Sequence, residues 1–217
     1  MVTAIEILNF CKSEYGTEVS EAKNTVNIIY LEGCNAADLT PNADRPDEWN
    51  DTSMIIMHHS DGTPFIAHQA EATSEPGISA TMSKQAAKLG GVFRIAIGYH
   101  KEKWVMGYHK RNNAHPALVQ SGKIFGHRDK NRDGKRTGDL VTDNVLGLNQ
   151  HGTRPNLQSV RVGDWSYACL VRRMWDKHME FVRLCAADPR RSYIDPSEFK
   201  FSTTVVDYSA FWKWKNT

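Results

Sequence analysis

Val92-Phe-Arg-Ile-Ala-Ile-Gly-Tyr-His-Lys-Glu-Lys-Trp-Val-Met-Gly-Tyr108 is the stretch that decides the fold class of this chain. Two apolar runs rich in β-branched and aromatic residues, 92–99 and 104–108, flank Lys101-Glu-Lys103, which reads as the closure of a hairpin. Similar short runs recur outward at 26–31, 54–58, 64–68 and 123–127, separated by turn residues. Short strands at such regular spacing predict a sandwich or a barrel. Residues 33–52, rich in Gly, Asn, Asp and Pro, read as a long surface loop.

Helical periodicity flanks this β region. Ile5, Leu8, Cys11 and Tyr15 recur at three- and four-residue intervals, with Thr3 and Glu6 placed as a capping box, and predict a helix over 3–15. Trp175, His178, Met179, Phe181, Val182 and Cys185 predict a second helix over 172–185, ended by Pro189. Phe199, Phe201, Thr203 and Val205 alternate as a closing strand, and Phe211-Trp-Lys-Trp214 reads as a hydrophobic anchor on the core. The expected class is mainly β with flanking helices (α+β), with an N-terminal helical segment over 1–25 and the main domain over 26–217.

With 27 Lys+Arg against 25 Asp+Glu, the chain lacks the basic footprint of a nucleic-acid binder. No apolar run reaches the roughly 20 residues that span a bilayer, so membrane insertion is not expected. The first residues lack a basic leader and an apolar run ending in a cleavage site, so the expectation is synthesis in the cytoplasm without a signal peptide. Cys11, Cys34, Cys169 and Cys185 are too scattered for a disulfide scaffold or a zinc knuckle, and are expected as reduced thiols.

The chemistry concentrates in Leu148-Asn-Gln-His151-Gly-Thr-Arg-Pro-Asn156 and Val162-Gly-Asp-Trp-Ser166-Tyr-Ala-Cys169-Leu-Val-Arg172-Arg173. His151 leaves a strand end, and a small-residue turn presents Cys169 at what reads as the entry to a helix. A free thiol is only a few per cent thiolate at neutral pH, so an adjacent imidazole that accepts its proton activates it. Backbone N–H groups at Tyr167, Ala168 and Cys169 would stabilise an oxyanion, and a helix dipole would favour the thiolate.

His151-Gly-Thr followed by Ser166-Tyr-Ala-Cys169 resembles the signature of the YkuD-type L,D-transpeptidases. Ser74-Glu-Pro-Gly77, His115-Pro-Ala-Leu-Val-Gln120, Arg128-Asp-Lys-Asn-Arg-Asp133, Asn149-Gln-His151 and Trp165-Ser-Tyr-Ala-Cys169 together resemble phage and phage-like proteins that carry that domain. The resemblance implies a YkuD-like β-sandwich, with Cys169 as nucleophile, His151 as base and Ser166 ordering the turn. It implies attack on a peptidoglycan stem peptide through a thioester resolved by an amine or water, with no cofactor and no metal. Tyr167 and Ala168 stand where the family has His and Gly, and Val171 where it has Arg or Asn. Arg172 or Arg173 would then replace the basic contact, and Arg128 would line the cleft. A phage lytic or virion-associated role is implied, with virion proteins as possible partners and action on the cell wall after lysis or from the particle.

Two further readings come from the same residues. His58 or His59 with His127 resembles the ligand set of zinc-dependent muramoyl-peptide amidases, although adjacent strand histidines face opposite sides and only one would reach a metal. A catalytically inactive virion structural or wall-binding protein on the same fold is the other. Asp129–Gly134 matches half a calcium loop, but Leu140 sits where the bidentate Glu belongs, which favours an Asx-rich turn.

Overall fold

The computed structural model describes residues 1–111, 115–136, 138–195 and 198–217. In chain order the strands are β1 (Asn27–Glu32), β2 (Asp51–His58), β3 (Pro64–Thr73), β4 (Val92–Ile95), β5 (Gly98–Tyr108), β6 (Pro116–Gln120), β7 (Gly126–Asp129), β8 (Leu140–Thr142), β9 (Gln150–Gly152), β10 (Leu170–Arg172) and β11 (Phe201–Asp207). The helices are α1 (Ala4–Tyr15), α2 (Ile78–Thr81), α3 (Lys84–Lys88), α4 (Trp175–Ala186) and α5 (Tyr208–Lys215).

Eight strands close into a barrel in the order β1-β11-β5-β6-β9-β10-β3-β2, and β4-β7-β8 form a separate small sheet. The β1–β11 and β9–β10 pairs are parallel and the other pairs antiparallel. The chain is therefore mainly β with flanking helices, and its main sheet closes on itself instead of leaving edges.

Inside the barrel, Tyr30, Ile55, Trp104, Leu118, Leu170 and Phe201 pack with Phe181 and Cys185 of α4. Outside it, Ile29, Leu31, Met54, Ile56 and Val206 meet Ile7, Leu8, Phe10 and Cys11 of α1 and Phe211 of α5. Strands covered on both faces read as continuous apolar runs, which is why 26–31 and 54–57 show no alternation.

The capping box forms as expected: Thr3 Oγ1 accepts from Glu6 N, and Glu6 Oε2 accepts from Thr3 N at 2.8 Å. The buried face of α1 differs from the sequence reading, because Ile5 turns to solvent while Ala4, Ile7 and Phe10 join Leu8 and Cys11. The C-terminal aromatics do anchor the tail, with the Phe211 ring edge-on to Phe10 at 5.4 Å.

The expected hairpin at Lys101-Glu-Lys103 is absent. One strand, β5, runs through it, and Glu102 takes a left-handed φ of 53° opposite a register shift in β11. Glu102 N donates to Ser202 Oγ at 3.0 Å, so these charged residues form a bulge, whose outward side chains mimic a turn in sequence. The real break falls at Ala96–Ile97, where β4 leaves for the small sheet. Among the described residues, no helix is long and apolar enough to cross a membrane.

Candidate thiol–imidazole site

The site is built where β9 and β10 run parallel, with His151 paired to Val171. Thr153 extends this pairing: its N–H donates to Arg172 O at 3.1 Å and its hydroxyl to Arg173 O at 2.7 Å. Gly152 is required by packing, since a Cβ there would lie 2.6 Å from Cβ of His178 on α4. Within His151-Gly-Thr, each residue after the histidine thus fixes where the histidine sits.

His151 is almost fully buried, and its Nδ1 lies 2.7 Å from Gly152 O. Nδ1 therefore carries the proton and donates, leaving Nε2 as the lone-pair nitrogen. That Nε2 is buried and has no hydrogen-bond partner among the described residues. Ligating atoms of His151, His109 and Cys169 all lie within 4.8 Å of one another.

Cys169 is partly exposed and is held by the backbone on one side. Asn149 N–H donates to Sγ and the thiol donates to Gly147 O, each at 3.5 Å. Ser166 Oγ donates to Cys169 O at 2.8 Å, so Ser166 closes the turn. The Glu75-Pro-Gly77 turn supports it, because Gly77 N–H donates to Ser166 O and a Cβ on Gly77 would lie 2.1 Å from Gly163 O.

The expected helix entry at Cys169 is not there. Cys169 runs straight into β10, and α4 begins only at Trp175, so no helix dipole acts on this thiol. Burial instead pushes the Cys169 thiol up to about 11, partly offset by the Asn149 N–H and the Lys110 charge. Burial likewise holds the His151 imidazole well below its usual range, with neighbouring His109 adding to the effect. The resting pair is a neutral thiol beside a neutral imidazole.

Residues to which the sequence reading gave no role in the site complete it. His109, in the 3-10 turn His109–Arg111 after β5, stacks on His151 and takes a hydrogen bond from Asn149 Nδ2 at 3.1 Å. Burial brings His109 down to about 4. His115 Nε2 lies 3.1 Å from Gly152 O, and Trp175 stands edge-on to His115 at 5.1 Å. Two histidines flanking the loop between β5 and β6 were the available signal. A groove of about 680 Å³ opens on this side, lined by His109, Lys110, His115, His151, Arg154 and Trp165 among others. A second depression borders Gly147, the thiol's acceptor.

No family model, curated protein or solved structure matches this chain.

The structure places the remaining candidates individually. Tyr167 packs beside Ala80, Ala86 and Val92, and Ala168 belongs to the main core. The N–H groups of Tyr167, Ala168 and Cys169 donate to no partner among the described residues. Arg172 is not on the groove: alternation along β10 sends it inward with Leu170, over the Phe181 ring at 3.2 Å, while Cys169 and Val171 face outward beside Trp49 and Val162. Arg173 is tied to Glu71 and Ser159 O. Arg128 is also away from the groove, bonded to Gly91 O and Asn144.

His58, at the end of β2, and His127, on β7 of the small sheet, join no group of three ligating side chains among the described residues. His59 stacks on Phe65 beyond the end of β2. In the Asp129 loop, the Asp129 carboxylate accepts from Asp133 N and Gly134 N, and Asn131 Oδ1 accepts from Asp133 N in an Asx turn.

Proposed function

We propose that this chain is a cysteine-dependent acyl-transfer enzyme acting on a peptidoglycan stem peptide, on a divergent YkuD-like catalytic domain in which the sheet forms a closed barrel. The observation that carries the reading is that, among the described residues, Nε2 of buried His151 has no hydrogen-bond partner, while Gly152 O fixes the ring and a ring nitrogen lies within 4.8 Å of Cys169 Sγ and of a His109 nitrogen. That separation is within reach of a direct or single-water proton transfer once substrate closes the site. His151 removes the thiol proton as Sγ attacks a peptide carbonyl, and the unengaged N–H groups of the 167–169 turn receive the oxyanion. Because thiol and imidazole are both neutral at rest, proton transfer accompanies attack.

Phage lytic or virion-associated action is the setting this reading suits, with the wall as target. The test is turnover of purified muropeptides by the wild type, Cys169→Ala and His151→Ala. Loss of turnover in both folded variants supports the mechanism, and full activity in Cys169→Ala overturns it.

A further inference from the structure

We propose that His109, His151 and Cys169 form a binding site for one borderline-soft divalent cation of the Zn²⁺ type, whose occupation takes the thiol out of reaction. Three observations converge on it. The ligating atoms of two imidazoles and one thiol already lie within 4.8 Å of one another. The second is that the lone pair of His151 is buried and unused among the described residues, while its other nitrogen is bound to a backbone carbonyl. That pairing is how proteins orient a metal-ligating histidine. Finally, the set comes from three separate elements, the turn after β5, strand β9 and the residue before β10, so it exists only in the folded chain.

The donor chemistry suits Zn²⁺ or Co²⁺. Zn–N bonds of about 2.0 Å and Zn–S bonds of about 2.3 Å put two nitrogens and one sulfur of a tetrahedron roughly 3.3–3.6 Å apart, inside the 4.8 Å that bounds the present separations. Three protein ligands leave a fourth tetrahedral position for water, and His109 and His151 of the set also line the groove. Sulfur ligates as the thiolate, so binding releases the thiol proton to solvent and affinity rises with pH. Ligation through either nitrogen of His109 gives up its 3.1 Å bond from Asn149. Lys110 is the cation whose charge reaches both His109 and Cys169, and it opposes a second positive charge. Hard cations, which prefer oxygen, have no carboxylate in this set.

The inhibitory consequence rests on the proposed thiol chemistry, and the binding site does not. The experiment titrates metal-free full-length protein with Co²⁺ and follows the near-ultraviolet thiolate-to-cobalt absorption. One equivalent should produce the band, Zn²⁺ should abolish it by displacement, and Cys169→Ser should lack it. His109→Ala should weaken binding at least tenfold. Absence of the band in the wild type overturns the site, as does its persistence in Cys169→Ser. Circular dichroism checks the fold of both variants, and if Cys169→Ser does not fold, unchanged affinity in His109→Ala is the overturning result. Muropeptide turnover is measured in parallel: loss on stoichiometric Zn²⁺ with recovery by chelator supports the inhibitory role, and undiminished turnover at full occupancy overturns it. Cobalt binding without turnover in the metal-free protein keeps the site and overturns the enzymatic reading.

Discussion

The imidazole rings of His109 and His151 stack with centroids 3.9 Å apart and 25° between their planes. The loop after β5 thereby braces a histidine on β9, on the ring face, while Gly152 O holds it at Nδ1. Two constraints on one ring orient Nε2.

Removing the brace should therefore affect chemistry more than binding. Aromatic pairs contribute about 0.5–1.5 kcal/mol beyond burial. In His109→Ala, kcat on muropeptides is expected to fall about two- to tenfold with KM nearly unchanged. Steady-state kinetics measures the split, and a rise in KM alone would assign His109 to substrate binding.

The neutral resting pair has a signature in alkylation. With the Cys169 thiol pushed up to about 11, its iodoacetamide rate should climb steadily from pH 7 to about pH 10. A plateau near neutrality would instead reveal a preformed thiolate–imidazolium pair. Cys11, Cys34 and Cys185 should react more slowly, being buried with thiols raised further, Cys11 and Cys34 to about 12.

His178 links the site to acid stability. Burial lowers it to about 3, with Arg172 adding to the effect, so it stays neutral in the folded state where the unfolded chain binds a proton. A depressed folded value makes stability rise with pH, so this contribution is complete above about 6.5 and is lost as pH falls from 6.5 toward 3. Each unit of depression corresponds to about 1.4 kcal/mol. Urea midpoints of wild type and His178→Gln should accordingly converge as pH drops from 7 to 4. A pH-independent difference would remove His178 titration from the account.

Gly152→Ala should destabilise by about 1–3 kcal/mol, because the added methyl meets His178 Cβ at 2.6 Å and overpacking forces α4 outward. Denaturant unfolding reads the loss. An unchanged midpoint would mean that α4 yields freely.

Arg172→Met is expected to be neutral or stabilising, with turnover unaffected. The guanidinium is fully buried, makes no hydrogen bond among the described residues and lies over Phe181 and Tyr30, and replacing a buried charge by an apolar side chain of similar volume removes its desolvation cost. A raised KM in Arg172→Met would restore it to the substrate site.

Local chemistry was legible where neighbours in sequence supply the partner. The Thr3–Glu6 capping box, the Asp129 turn and the Ser166–Cys169 turn each join residues a few positions apart. The Lys101-Glu-Lys103 bulge was misread because outward charges between two apolar runs look the same in a bulge and in a turn, and only pairing with Ser202 distinguishes them. Arg172 was misread because its direction depends on which face of β10 meets the barrel interior.

By itself, the amino-acid sequence determined a mainly β chain with flanking helices, and it singled out His151 and Cys169, since periodicity and short-range turn chemistry are local properties. Only the tertiary structure decided that the sheet closes into a barrel, that Cys169 enters a strand and not a helix, and that His109 comes to lie on His151. Those outcomes depend on contacts between residues tens of positions apart, brought together when burial of apolar faces fixes strand register.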